Sequence, residues 1–189
     1  MIIALTGMKR SGKDTCAAYF EENYGFINYK FAGAIKRAVA DIFLCEDDWI
    51  NGKYKETTDP KWGISMRKAQ QAIGTDLFRD RLPELYPEFN SLIGKAIWVK
   101  RFQYWFELQR SDTNVVISDL RFLNEAETVR KMGGIIIRVN REDSASNDHH
   151  PSETEMSKII PDHTVENNSS ILDLYTSLEV IYGGILSAK

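Results

Sequence analysis

The chain has 189 residues, 43% hydrophobic and 27% charged, with a formal net charge of −3. That length suits one domain with a well-buried core, and the charge balance lacks the overall basic footprint of a protein that binds a nucleic-acid polymer. Cys16 and Cys45 have no metal-ligand spacing and read as reduced thiols of a cytoplasmic protein, and no apolar stretch reaches the length of a membrane span or of a signal peptide.

The first stretch, Met1-Ile2-Ile3-Ala4-Leu5-Thr6, has the character of a buried strand, and Gly7-Met8-Lys9-Arg10-Ser11-Gly12-Lys13-Asp14-Thr15 follows it directly. Strand, glycine-bracketed loop, lysine and helix in that order are the setting of a phosphate-binding P-loop. Gly7 and Gly12 let the backbone curl so that successive N–H groups face an anion, and Lys13 adds a mobile positive charge. Gly7, Lys9, Arg10, Ser11, Gly12, Lys13, Asp14 and Thr15 are therefore the candidate nucleotide-phosphate residues. A hydroxyl that meets Mg²⁺ usually follows the lysine. Here Asp14 stands in that place and Thr15 comes one later, so either these two hold the metal through water or another carboxylate takes the larger share.

Residues 15–23 read as a helix with Cys16, Ala17, Tyr19 and Phe20 on its apolar face, and residues 26–31 as a short strand. Residues 34–44 form the next helix, with Ile35, Ala38, Val39, Ile42 and Phe43 on one side. Lys36 and Arg37 lie in its first turn, next to the strand end where open α/β sheets bind ligands. Cations are disfavoured at a helix N-terminus, so a bound anion makes better sense of them. Residues 46–63 are a polar surface excursion that Trp49, Tyr54 and Trp62 are expected to pack down.

Residues 64–81 read as one long helix with Met66, Ala69, Ile73, Leu77 and Phe78 as its stripe. Another face carries Arg67, Gln70, Gln71, Thr75 and Asp76, a polar set that suits a base edge because Gln both donates and accepts. Gly74 leaves room for a ligand or a close-packed neighbour. Residues 82–90, with Pro83 and Pro87, read as a connector. Residues 91–109 form a core-rich helix through Ile97, Trp98, Phe102, Trp105, Phe106 and Leu108, and this aromatic helix could carry a homodimer face.

The run at 114–118 is the clearest interior strand. Asp119 at its end is placed where a Walker-B-type aspartate holds Mg²⁺ or its water, and Asp also makes a good helix N-cap. A helix is expected to open there and run to Met132, with Arg121 projecting into the same cleft as an anion ligand. Residues 135–139 form another strand. The polar stretch 140–158 reads as a lid, and Arg138, on the strand before it, and Arg141 stabilise transferring charge or pair with neighbouring acids. His149 and His150 lack metal-ligand spacing. A last strand at 164–166 and a closing helix at 171–186, with Leu172, Leu174, Tyr175, Leu178, Ile181 and Tyr182, complete the chain.

The order βαβα, inserted helices, βαβ, lid and βα implies a three-layer α/β/α fold around a parallel five-stranded sheet. It is read as a single domain spanning 1–189, with an acceptor-binding helical insertion at about 32–110 and a lid at about 140–160. A GTPase would show an Asn-Lys-x-Asp motif, and none is present. A small P-loop domain with lid and insertion suits a kinase of a small acceptor. Cations surround the inferred cleft without a His/Asp base pair, which favours a phosphate acceptor, already ionised and needing no base.

The P-loop at Gly7 to Thr15 closely resembles that of the deoxynucleoside monophosphate (dNMP) kinases of tailed bacteriophages. The resemblance continues through Phe31-Ala32-Gly33-Ala34-Ile35-Lys36, Gln71-Ala72-Ile73-Gly74-Thr75-Asp76-Leu77, Trp98-Val99-Lys100, Asp119-Leu120-Arg121 and Asn147-Asp148-His149-His150-Pro151-Ser152-Glu153. It implies an adenylate-kinase-like fold, ATP and Mg²⁺ as cosubstrates, and a small-molecule dNMP as acceptor. It further implies that Lys13 and the loop hold ATP, that Lys36, Arg67, Gln71 and Arg121 are candidates for the acceptor, and that Arg138 or Arg141 serves the donor side. Asp119, through water, is then the expected main acidic contact to the metal's shell. Animal phosphomevalonate kinases share the Lys-x-Ser-Gly-Lys-Asp loop, and a regulator that binds nucleotide without turnover is the alternative from another class. A phage-encoded member would work in the host cytoplasm.

Overall fold

The computed structural model describes residues 1–142 and 155–188. Two compact units are present, Met1–Lys30 with Glu107–Lys189, and Phe31–Phe106. The segment 147–153, with His149 and His150, and most of the expected lid lie outside the described residues.

The first unit holds a five-stranded sheet in the order β2-β3-β1-β4-β5. The strands are β1 (Ile2–Thr6), β2 (Ile27–Tyr29), β3 (Val115–Ile117), β4 (Ile135–Asn140) and β5 (His163–Glu166). All neighbours pair parallel, with Ile3 opposite both Val116 and Ile135. Every residue of β1 is buried, as a central strand covered on both faces requires. On one face Ile3, Leu5, Val116, Ile137 and Val139 lie under α1 (Lys13–Tyr24) and the last helix, Ile171–Ser187, through Phe20, Leu174, Leu178 and Tyr182. Ile2 and Ala4 alternate to the other face and are buried too. The chain leaves β1 for strands on both sides of it, which makes its carboxyl end the switch point of the sheet.

The expected parallel α/β fold is present, with local differences. β2 and β5 form the two edges of the sheet. The helix expected to open at Asp119 begins later, at Leu123, and runs to Lys131. Its start is set by the buried Glu125, whose Oε2 accepts from the backbone N–H groups of Arg121 and Phe122, both at 3.0 Å. The last helix begins where Ser170 and Asp173 cap each other reciprocally, and the hydroxyls of Ser169 and Ser170 hold the Asp173 carboxyl below its usual range. Leu172, assigned to its apolar stripe, is exposed.

The second unit is helical: α2 (Gly33–Phe43), α3 (Asp47–Ile50), α4 (Met66–Gln71), α5 (Leu82–Leu85), α6 (Pro87–Leu92) and α7 (Ile97–Glu107). In chain order, the shortened helix Leu123–Lys131 is then α8 and the closing helix Ile171–Ser187 is α9. Val39, Ile50, Met66 and Ala69 form the second unit's core, with Ile35, Phe43, Trp49 and Ile64 against it. The aromatics of the polar excursion do pack it down: Trp49 lies 5.2 Å from Tyr54, and Trp62 meets Phe43 edge-on at 5.3 Å. Ile42 and Leu77, both assigned to apolar stripes, are exposed. The connector at 82–90 contains α5 and α6, each with proline in its first turn where no N–H is needed. The aromatic helix begins only at Ile97, after a 3₁₀ turn at Gly94–Ala96, and Leu108 beyond its end is exposed.

The largest departure is at residues 72–81. The helix expected over 64–81 is α-helical only to Gln71, and Ala72–Arg81 continues as a π-helix. Bonding to the fifth residue rather than the fourth rotates the faces. Leu77 therefore turns outward, while Thr75 and Arg79 are buried. Two contacts accompany the change. The Trp98 indole donates to the Gly74 carbonyl at 2.9 Å, and a Cβ on Gly74 would come 2.5 Å from Ile35 Cδ1. The space at Gly74 thus belongs to a packed neighbour. Gly74→Ala should fail to stabilise the protein in urea unfolding despite alanine's helix-propensity advantage of about 1 kcal/mol, because the Ile35 Cδ1 methyl must move to make room, and Ile35→Val should restore part of that advantage. A stabilised Gly74→Ala variant would contradict this packing.

Candidate active site

The candidate site begins at the carboxyl end of β1. Gly7 has φ 142, and a Cβ there would overlap the carbonyl oxygen of Val139 on β4. Only glycine can turn the chain this close to the neighbouring strand. Arg10 and Gly12 also have positive φ, 66 and 106. Between these points the loop closes through Ser11 N–H to the Met8 carbonyl at 3.2 Å, and Cys16 N–H reaches the Gly12 carbonyl at 3.0 Å as α1 starts. No side chain of the cap residue, Gly12, closes the N-terminus of α1. That end of a helix attracts anions through its N–H groups and its dipole.

Lys13 is buried in the first turn of α1, and its ammonium donates to the carbonyls of Gly7 at 2.6 Å and Met8 at 2.7 Å. The charge is thereby held against the loop. The hydroxyls of Thr6 and Ser11 are fully buried and make no hydrogen bond. An unsatisfied buried hydroxyl costs about 1–3 kcal/mol, which marks this loop as built for more than packing. Curled backbone, cationic side chain and uncapped helix together fit the phosphates of a nucleotide. Just behind them, burial pushes the Cys16 thiol up to about 12 against the pull of Lys13.

Asp119 and Arg121 flank Leu120, whose N–H donates to the Leu5 carbonyl at 3.2 Å. The segment after β3 therefore runs beside the end of β1, at the same sheet edge as the loop. Both residues are half-buried. Asp119 is not the cap of α8, since that helix starts beyond it. Asp14 is exposed and ion-paired with Lys30 at 2.7 Å, and Thr15 is half-buried. No group of three or more His, Cys, Asp or Glu gathers among the described residues. Arg138 lies opposite Thr6 in the sheet, and its guanidinium donates to the carbonyls of Met156 and Ile159. Arg141 is exposed just past β4, as are Arg10 and Arg37 at their own positions, while Lys9 is half-buried.

The remaining candidates belong to the second unit. Lys36 in the first turn of α2 donates to Asn51 Oδ1 at 2.7 Å. Arg67 and Gln71 are half-buried on α4, and Gln70 donates to the Ile50 carbonyl at 3.1 Å, which ties α3 to α4. Thr75 is buried and Asp76 exposed on the π-helix. Two residues with no role assigned from sequence engage the P-loop region. Lys30 holds Asp14, and Asn167 donates to the Ser11 carbonyl at 2.8 Å. The only signal for Asn167 was an asparagine pair directly after the last strand.

A family model described as deoxynucleotide monophosphate kinase matches residues 1–50 and 48–178. The chain is 38% identical over 185 residues to a protein of Acanthamoeba polyphaga mimivirus that is provisionally named a deoxynucleotide monophosphate kinase, covering 94% of each. It is 24% identical over 246 aligned positions to the deoxynucleotide monophosphate kinase of Enterobacteria phage T4, covering 94% of this chain and 97% of that one. The fold is shared with TT1252 from Thermus thermophilus, at 16% identity, a TM-score of 0.51 and 97% coverage of both chains.

The burial of Cys16 yields a direct check. A thiol reagent at about pH 8 should modify the half-buried Cys45 well before Cys16, because only the thiolate reacts. Cys16 should titrate only after unfolding, and equal rates for both thiols would show that the helix behind the loop is not packed as described. A match to one family model over nearly the whole sequence, joined to a phosphate-binding loop at the head of the sheet, places this chain in the deoxynucleotide monophosphate kinase family.

Proposed function

We propose that this chain transfers the γ-phosphoryl group of ATP to the α-phosphate of a deoxynucleoside monophosphate, giving the diphosphate and ADP. The observation that carries the reading is the Gly7–Thr15 loop, with Lys13 clamped across it, in a chain whose family match runs through residue 178. In the reaction an ionised oxygen of the acceptor phosphate forms a bond to the γ-phosphorus. The bridging bond to the β-phosphate breaks, and its electron pair leaves with ADP. Because the acceptor oxygen carries no proton near neutral pH, positioning and charge neutralisation do the work.

Gly7, Lys9, Arg10, Ser11, Gly12 and Thr15 take the ATP phosphates through the loop backbone and the head of α1, and Lys13 neutralises charge on the group in transfer. Asp14, Thr15 and Asp119 would hold Mg²⁺ through water, and the ion would supply further charge neutralisation on the phosphates. Arg121, beside the loop, receives the acceptor phosphate. Lys36, Arg37, Arg67, Gln70, Gln71, Thr75 and Asp76 of the helical unit serve the acceptor nucleotide. Gln70 does so indirectly, since its amide is engaged by Ile50. Arg141 serves the donor side, and Arg138 does so by anchoring the Met156–Ile159 backbone. None of the helices among the described residues is long and apolar enough to cross a membrane, and a reaction on these substrates is compatible with the cytoplasm.

A coupled ADP-release assay over dAMP, dGMP, dCMP, dTMP and phosphomevalonate tests the reading. Turnover is expected with at least one deoxynucleotide and not with phosphomevalonate, and silence with every nucleotide would sink the proposal. Lys13→Ala should lower kcat by about a hundredfold or more while the protein still folds with a cooperative thermal transition. Arg121→Ala should cost about tenfold or more in kcat/KM for the acceptor, and a change confined to ATP affinity would misplace this arginine.

A further inference from the structure

β5 ends at Glu166, and Asn167 follows it. The Asn167 backbone N–H still donates to the Asn140 carbonyl, at 2.8 Å, so its main chain is held by the ladder between β4 and β5. Neighbouring side chains stiffen this edge: Asn140 Nδ2 donates to Glu166 Oε1 at 2.9 Å, and Asn168 Oδ1 accepts from the Glu142 N–H at 2.9 Å. From this anchored position the Asn167 side chain reaches the P-loop. Its Nδ2 donates to the Ser11 carbonyl at 2.8 Å, and a Cβ on Gly12 would collide with the same nitrogen. The orientation of the amide is forced, since only its NH₂ end can meet a carbonyl oxygen.

The bond matters because of which peptide it holds. In a trans peptide the carbonyl and the following N–H point in opposite directions, and this chain has no cis peptide among its described residues. Fixing the Ser11 oxygen toward β5 therefore turns the Gly12 N–H the other way. This peptide is able to flip, because a glycine at its far end accepts both orientations. One hydrogen bond of this kind biases such an equilibrium by about tenfold.

We propose that Asn167 is a positioning residue for the donor phosphates, selecting the peptide orientation in which the Gly12 N–H serves the anion. The inference rests on reading the loop as the donor site, and it does not depend on the identity of the acceptor. Asn167→Leu keeps the approximate size and removes the donor, and Asn167→Ala removes the donor without adding bulk. In the full chain, ATP Kd and ATP KM should both rise by about tenfold, while the KM for the acceptor and the thermal midpoint stay near the parent's. With glycine-selective ¹⁵N labelling, the Gly12 amide resonance of the parent should move when ATP is added, and that movement should shrink in both variants. ATP affinity within about twofold of the parent in either folded variant would overturn the proposal. So would an equal loss for donor and acceptor, which marks a general scaffold role. If neither variant folds, an unmoved Gly12 resonance in the parent overturns it. ATP binding is read without acceptor, so a parent that binds ATP yet phosphorylates no deoxynucleotide would refute the proposed reaction and leave this test standing.

Discussion

A side chain on Gly7 would run into the Val139 carbonyl, and much of the site follows from that contact. β1 is central because β3 and β4 pair with it on either side. The strand that carries the loop therefore has a neighbour's backbone beside it where the chain must turn. A residue without a Cβ solves the geometry and lets the loop curl tightly enough for the Lys13 ammonium to reach two of its carbonyls. The head of α1 follows at once, so the anion-attracting end of the helix opens at the switch point of the sheet.

Charge at this edge is largely bound by the protein itself. Lys13 is held by loop carbonyls, Asp14 by Lys30, and Arg138 by the carbonyls of Met156 and Ile159. Arg138 fastens the Met156–Ile159 backbone to β4. A guanidinium has five donors and no acceptor, so backbone oxygens within reach will take them. The exposed Asp14–Lys30 pair contributes little stability, but it fixes the direction of a carboxylate in the first turn of α1.

What could be read from the chain alone was what depends on near neighbours. The P-loop, the β-branched runs of β3 and β4 and the parallel α/β order each have a local cause, and the structure carries all of them. What escaped depends on distant partners. The π-helix at Ala72–Arg81 accompanies an indole and an isoleucine from other helices, and no periodicity within residues 64–81 announces either. The late start of α8 follows from Glu125 reaching back to two N–H groups, a signal masked by the stronger cap residue Asp119. Leu77, Leu108 and Leu172 were placed inside by ideal helical spacing, and each is exposed because its helix changes pitch, stops early or turns that position outward. Asn167 was visible only as punctuation after a strand, because its partner lies 156 residues away.

That separation also bears on how the protein acquires its active form. The P-loop leaves the ribosome well before β3, β4 and β5, the strands whose segments complete its surroundings. Local contacts can form α1 early, whereas the turn at Gly7 and the peptide at Gly12 have nothing to rest on until residues 115–167 have emerged and paired. Closing so long a loop is slow on entropic grounds. An incompletely synthesised or C-terminally clipped chain would thus carry the complete P-loop sequence and still lack the shaped cradle, so the ability to hold a nucleotide should arrive late and together with the finished sheet.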